Sequence, residues 1–162
     1  MKAASVNELR QELSNTSQAD LAELCVRLAR FKKENKELLT YLLFEAFDEA
    51  AYIENVKKEM EDQFAAINTT NLYFAKKSLR KILRVTAKYI RYTGSAEAEI
   101  SLLLHFCKTL EASGIPFADS PVLLNMYRNQ VKKISKVTAT LHEDLQYEFL
   151  KELRQLAGSG LV

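Results

Sequence analysis

Between Leu21 and Phe31 the apolar residues are Leu21, Leu24, Cys25, Leu28 and Phe31, the spacing of one face of an α-helix. The same three-and-four spacing recurs along nearly the whole chain, and no segment alternates with period two over a useful length. Such a pattern leaves little room for a sheet. The 162 residues include only 4 Gly and 2 Pro. That is too few to turn a chain every few positions, as sandwiches and barrels require. With 48% apolar and 27% charged residues, the length suits one globular domain that buries a core without cross-links. The expected fold is all-α: a single-domain antiparallel bundle, or a short α-α superhelical stack of five to seven helices, over residues 1–157. No self-similarity of about 34 to 45 residues argues for a true repeat array.

The periodicity predicts six helical segments: 6–13, 18–34 after Ser17, 36–67 after Asn35, 72–92, 96–112 after Ser95, and 122–156 after Ser120 and Pro121. One of Thr69 to Asn71 is expected to cap the fourth segment and Gly94 to end it. The start of the third, LLTYLLFEAFDEAAYI, is apolar around most of its circumference, which predicts a central position. The sixth reads either as one helix or as two, with a break near Thr138 to Thr140, where β-branched residues cluster. The closing AGSGLV is unlike the rest. It reads as a Gly-Ser linker with a truncated protease-site tag, so residues 158–162 are expected to be a disordered tail or a vector-derived addition. The beginning, MKAASVNELRQELSN, carries charges and no apolar stretch, and is not read as a signal peptide. No apolar run approaches about 18 residues, so no transmembrane segment is expected.

The net charge is only +2, but its distribution is uneven. From Asn68 to Gly94 the chain holds seven Lys or Arg and no acid. At roughly 100° per residue, Lys76, Lys77, Arg80, Lys81, Arg84, Lys88 and Arg91 fall within about 140° of arc. Leu72, Leu79, Ile82, Leu83, Tyr89 and Ile90 lie opposite, while Tyr73 sits within the basic arc and Phe74 and Tyr92 flank it. Like charges one turn apart cost a few tenths of a kcal/mol each, so something must compensate them. Two readings follow. The third segment carries eight acids (Glu37, Glu45, Asp48, Glu49, Glu54, Glu59, Glu61, Asp62), which could meet the cations from inside the fold. Alternatively Lys77, Arg80, Lys81, Arg84, Lys88 and Arg91 bind an external acidic protein or nucleic acid, with aromatic rings available for stacking. Arg128, Lys132 and Lys136 form a second basic stripe with the same two readings.

Glu49 falls on an apolar face on the helical wheel, with Glu45 one turn back. A buried carboxylate must be paired, hydrogen-bonded or neutral. Glu45 and Glu49 are therefore candidate buried acids, for an interhelical ion pair or for acid/base or metal work. No other chemistry is spelled out. Neither His105 nor His142 follows a Glu by three residues, and HEDLQ at His142 lacks the second histidine of a zinc motif. There is no nucleophile elbow and no Gly-rich phosphate loop, so no catalytic residue, cofactor or metal is expected. Cys25 and Cys107 lie far apart within apolar patterns and read as buried free thiols of a reducing compartment.

The stretch SQADLAELCVRLARFKKENKELLTYLLFEAFDEAAYIENVKKEM together with LYFAKKSLRKILRVTAKYIRYTG resembles a family of uncharacterised small all-helical bacterial proteins. The resemblance implies a bacterial, cytoplasmic, all-helical domain and carries over no activity. The beginning, NELRQELSNTSQADLAELCVRLARF, also resembles short helix-loop-helix modules that touch nucleic acid. The functional expectation is a non-enzymatic interaction module that uses the cationic face of residues 76–91. The alternatives are an enzyme or metal-binding bundle built on Glu45 and Glu49, or a structural homo-oligomer.

Overall fold

A computed structural model describes residues 2–157, and the 158–162 tail lies outside the described residues. The fold is all-α, and no strand occurs among the described residues. The chain forms two compact units, one ending at Glu45 and the other starting at Ala46.

The first unit holds α1 (Val6–Ser14), α2 (Gln18–Phe31) and α3 (Lys33–Phe44), with α2 packed on α3. Ser5 opens α1 with a reciprocal cap. Its hydroxyl accepts from the Glu8 N–H at 3.3 Å, while its own N–H donates to Glu8 Oε2 at 2.7 Å. Ser17 caps α2 as the sequence predicts, accepting from the Asp20 N–H. The expected helix to Glu34 ends instead at Phe31, because Lys32 adopts an extended conformation and α3 begins at the next residue. Asn35 does not cap α3; its side-chain amide donates to the Leu28 carbonyl. Tyr41 is the only described residue of this unit that is buried.

The second unit holds α4 (Glu49–Ala65), α5 (Leu72–Thr93), α6 (Ala96–Ala112), a 3₁₀ turn (Phe117–Asp119), α7 (Pro121–Thr138) and α8 (Glu143–Ala157). At its centre is α6, which contacts α4, α5, α7 and α8. It buries Ala98, Ile100, Leu102, Leu103, Leu104, Phe106, Cys107 and Leu110 around most of its circumference. Each large aliphatic or aromatic side chain so buried contributes roughly 1.5–3 kcal/mol, which makes α6 the organising element of this unit. Phe64 of α4 packs on Phe106 with ring centroids 5.4 Å apart, and Phe117 packs on Tyr127 at 5.2 Å. The Tyr127 hydroxyl donates to Glu111, so a fully buried phenol keeps its hydrogen bond.

Two of the sequence patterns divide into a pair of helices each. The predicted third helix, 36–67, breaks between Phe44 and Glu49. Asp48 causes the break: its Oδ1 accepts from the Ala51 N–H at 3.0 Å and starts a new helix. The central position expected for LLTYLLFEAFDEAAYI is therefore not observed. Leu42, Leu43, Phe44 and Phe47 are exposed, and α6 occupies the centre of the second unit. The sixth pattern takes its two-helix form, breaking after Thr138. At the start of α7, Pro121 stands at the first helical position, but the Ser120 side chain makes no capping bond.

A candidate cationic interface on one helix

The sequence before α5 builds its start step by step. In the turn, Asn68 Oδ1 accepts from the N–H and the hydroxyl of Thr70. Asn71 Oδ1 then accepts from the Tyr73 N–H at 2.8 Å and caps the helix. At the far end Gly94 adopts φ 62°, and its N–H donates to the Ile90 carbonyl. A side chain would be strained in that left-handed conformation, so glycine fixes where α5 stops. Ser95 caps α6 immediately afterwards. So short a joint makes α5 and α6 antiparallel neighbours.

Between these caps, α5 buries Ala75, Leu79, Ile82, Thr86 and Ile90 against α4 and α6. The cations lie on the rest of the circumference. Lys77, Arg80, Lys81, Arg84 and Arg91 are exposed, and Lys76 and Lys88 are half-buried. The structure thus brings all six candidate binding cations of the sequence reading onto the outward side of one helix. Among the described residues, none of Lys77, Arg80, Lys81, Arg84 or Arg91 forms an ion pair. Three acids of α4 are engaged elsewhere. Glu54 pairs with Lys57 at 2.7 Å, Glu59 accepts from the Tyr89 hydroxyl, and Glu61 approaches His105. Internal neutralisation, one of the two expectations, does not occur for these five residues.

Aromatic side chains extend the face at its N-terminal end. Tyr73 and Phe74 are 65% and 51% exposed, and their rings meet edge to face with centroids 5.5 Å apart. Lys76 Nζ stands 5.9 Å from the Tyr73 centroid, and Tyr73 lines one hollow with Lys77, Arg80, Lys81 and Arg84. The first turn of α5 contains no acid to offset its positive end.

The other candidates fall into different settings. Glu45 closes α3 and Glu49 opens α4, so the continuous wheel that placed them one turn apart on a face does not exist. Both are half-buried, where the sequence reading expected buried acids. The second basic stripe, Arg128, Lys132 and Lys136, is on α7, whose main contacts are with α6 and α8 rather than α5. No cluster of three or more His, Cys, Asp or Glu side chains suited to a metal occurs among the described residues.

His105 is half-buried. Its Nε2 lies 3.1 Å from Glu61 Oε1 without hydrogen-bond alignment. Burial holds the imidazole below the ordinary histidine range, while Glu61 pulls it upward. Beside it, a cleft of about 100 Å³ includes Lys57 and Lys108, each already paired, with Glu54 and Glu152 respectively. His142 is exposed, 3.5 Å from Asp144. Both cysteines are free, but only Cys107 is buried as expected; Cys25 is exposed because the α2 stripe that carries it is open. Burial, helped by Glu111, pushes the Cys107 thiol up to about 12.

The pairings of Glu59 with Tyr89 and Glu61 with His105 were not read from the sequence. They join residues 30 or more positions apart, and no local spacing signals them. Comparison of the chain with family models, curated proteins and solved structures finds no match.

Proposed function

We propose that the chain is a non-enzymatic helical interaction module whose α5 face docks an acidic macromolecule. One observation carries the reading: the exposed cations Lys77, Arg80, Lys81, Arg84 and Arg91 have no carboxylate partner among the described residues. Their mutual repulsion is relieved when an anionic surface replaces water and counterions. The same side chains sit on a helix anchored by five buried residues, so the charge array keeps its spacing. A bacterial, cytoplasmic setting belongs to this proposal; the free thiols fit a reducing compartment. No helix among the described residues is long and apolar enough to cross a membrane.

The test is a titration of labelled nucleic acid and of polyglutamate with the chain at several salt concentrations. Binding should weaken steeply as salt rises. Reversing Arg80→Glu, Lys81→Glu and Arg84→Glu together should abolish it while the helical circular dichroism is retained. Binding that survives the triple reversal, or no binding to any polyanion at low salt, would refute the proposal.

A second reading is favoured by a different observation. Leu42, Leu43 and Phe44 of α3 are all exposed. Large apolar side chains grouped in the open at one helix end suit association, here into a homo-oligomer. Sedimentation at rising concentration tests it, and a monomer throughout would count against it.

A further inference from the structure

We infer that the occupant of the α5 face is a single-stranded nucleic acid, its phosphates on the cations and an unpaired base on Tyr73 and Phe74; this rests on the polyanion-docking reading above. The exposed rings decide between anionic partners. A purely acidic chain such as polyglutamate would satisfy Lys77, Arg80, Lys81 and Arg84 but carries no ring to stack on the two aromatic side chains exposed at the end of that row. A nucleotide strand offers both anions and flat π-faces, and this surface offers a row of cations with two exposed rings at its end. Tyr73 shares its hollow with four exposed cations, and the Lys76 ammonium stands 5.9 Å from the Tyr73 ring. A phosphate drawn to Lys76 therefore brings its own base within reach of that ring. The first turn carries no acid, so the positive helix end adds to the attraction.

Duplex is disfavoured because its bases are already stacked on one another, so Tyr73 and Phe74 would gain nothing from them. The cations from Lys77 to Arg91 extend over about 21 Å at 1.5 Å per residue, within the reach of a short single-strand site of about 4–16 nucleotides.

Fluorescence anisotropy with labelled oligothymidylate and oligouridylate of about 16 nucleotides, a duplex of equal length and polyglutamate tests the inference. The single strands should bind most tightly. Five neutralised phosphates give a slope of log K against log salt of about −3.5, at roughly −0.7 per phosphate. The variants Tyr73→Ala and Phe74→Ala should each weaken single-strand binding roughly tenfold and leave polyglutamate binding unchanged. Tyr73→Phe, which keeps the ring, should bind like the parent. Both rings are exposed, so the helical circular dichroism of these variants should match the parent. If the double alanine variant binds single strands as well as the parent, or if duplex or polyglutamate binds as tightly, the inference is overturned and the cationic-face reading stands. If no polyanion binds at low salt, both fall.

Discussion

The two units carry the same kind of apolar stripe and treat it in opposite ways. In α1–α3 the stripe residues Leu24, Leu28 and Phe31 remain exposed, and Tyr41 is the one buried side chain among the described residues. In the second unit the stripes of α4, α5 and α7 close over α6, whose inner residues lose nearly all contact with water. A stripe at helical spacing therefore specifies a helix, not what covers it. Cover depends on which helices meet. A unit of 45 residues buries a smaller share of its chain's surface than a larger unit does.

The two thiols give the largest expected contrast, because each unit holds one. Cys25 should react rapidly with a disulfide reagent in the native protein. Cys107, raised to about 12 and fully buried, should stay inert until denaturant is added. Two fast thiols in native buffer would contradict the burial of α6. The next contrast is energetic. Phe106→Ala removes a fully buried ring and should lower the unfolding free energy by about 3–5 kcal/mol in urea titration. Phe31→Ala removes one that is 76% exposed and should change it by about 0.5 kcal/mol or less. A large loss at Phe31 would mean that the stripe of α2 is covered in solution.

Caps sharpen the comparison at a smaller scale. Ser95→Ala should cost about 1 kcal/mol of global stability, since it frays the central helix of a cooperative core. Ser5→Ala should fray α1 with little effect on the main transition, and hydrogen exchange confined to residues 6–14 would report it.

The smallest expected effect is the pH response of His105, which faces Glu61, Glu54 and Lys57. Burial depresses its folded value below the ordinary 6.5, so the unfolded chain binds the proton more readily. The stability it contributes is present above 6.5 and declines as pH falls through the folded value. The melting temperature should drop by a few degrees at most between pH 7 and pH 5, and His105→Gln should flatten that slope. A rise on acidification would reverse the assigned balance between burial and Glu61.

Much of this molecule is legible from local pattern. Caps at Ser17, Ser95 and Asn71, the stop at Gly94 and the inward row of Leu79, Ile82 and Ile90 all follow from residues within a turn or two of one another. The break read at Asn35 falls at Lys32 instead, a single extended residue, and the break at Asp48 is not read at all, because apolar periodicity runs through it and the capping acid is hidden in an acid-rich run. For the same reason the Glu45 and Glu49 pairing dissolves once the wheel is cut between them. The cationic arc is readable from the sequence alone. That its members lack acidic partners is not, because this depends on Glu59 and Glu61 facing Tyr89 and His105, residues 30 or more positions away.

The concentration of five exposed cations on α5 makes net charge a poor guide to behaviour on a column. A chain of formal charge +2 would elute early from a cation exchanger if its charges were evenly mixed. Here a resin bead meets Lys77, Arg80, Lys81, Arg84 and Arg91 as one row and should retain the protein well past the position its isoelectric point suggests.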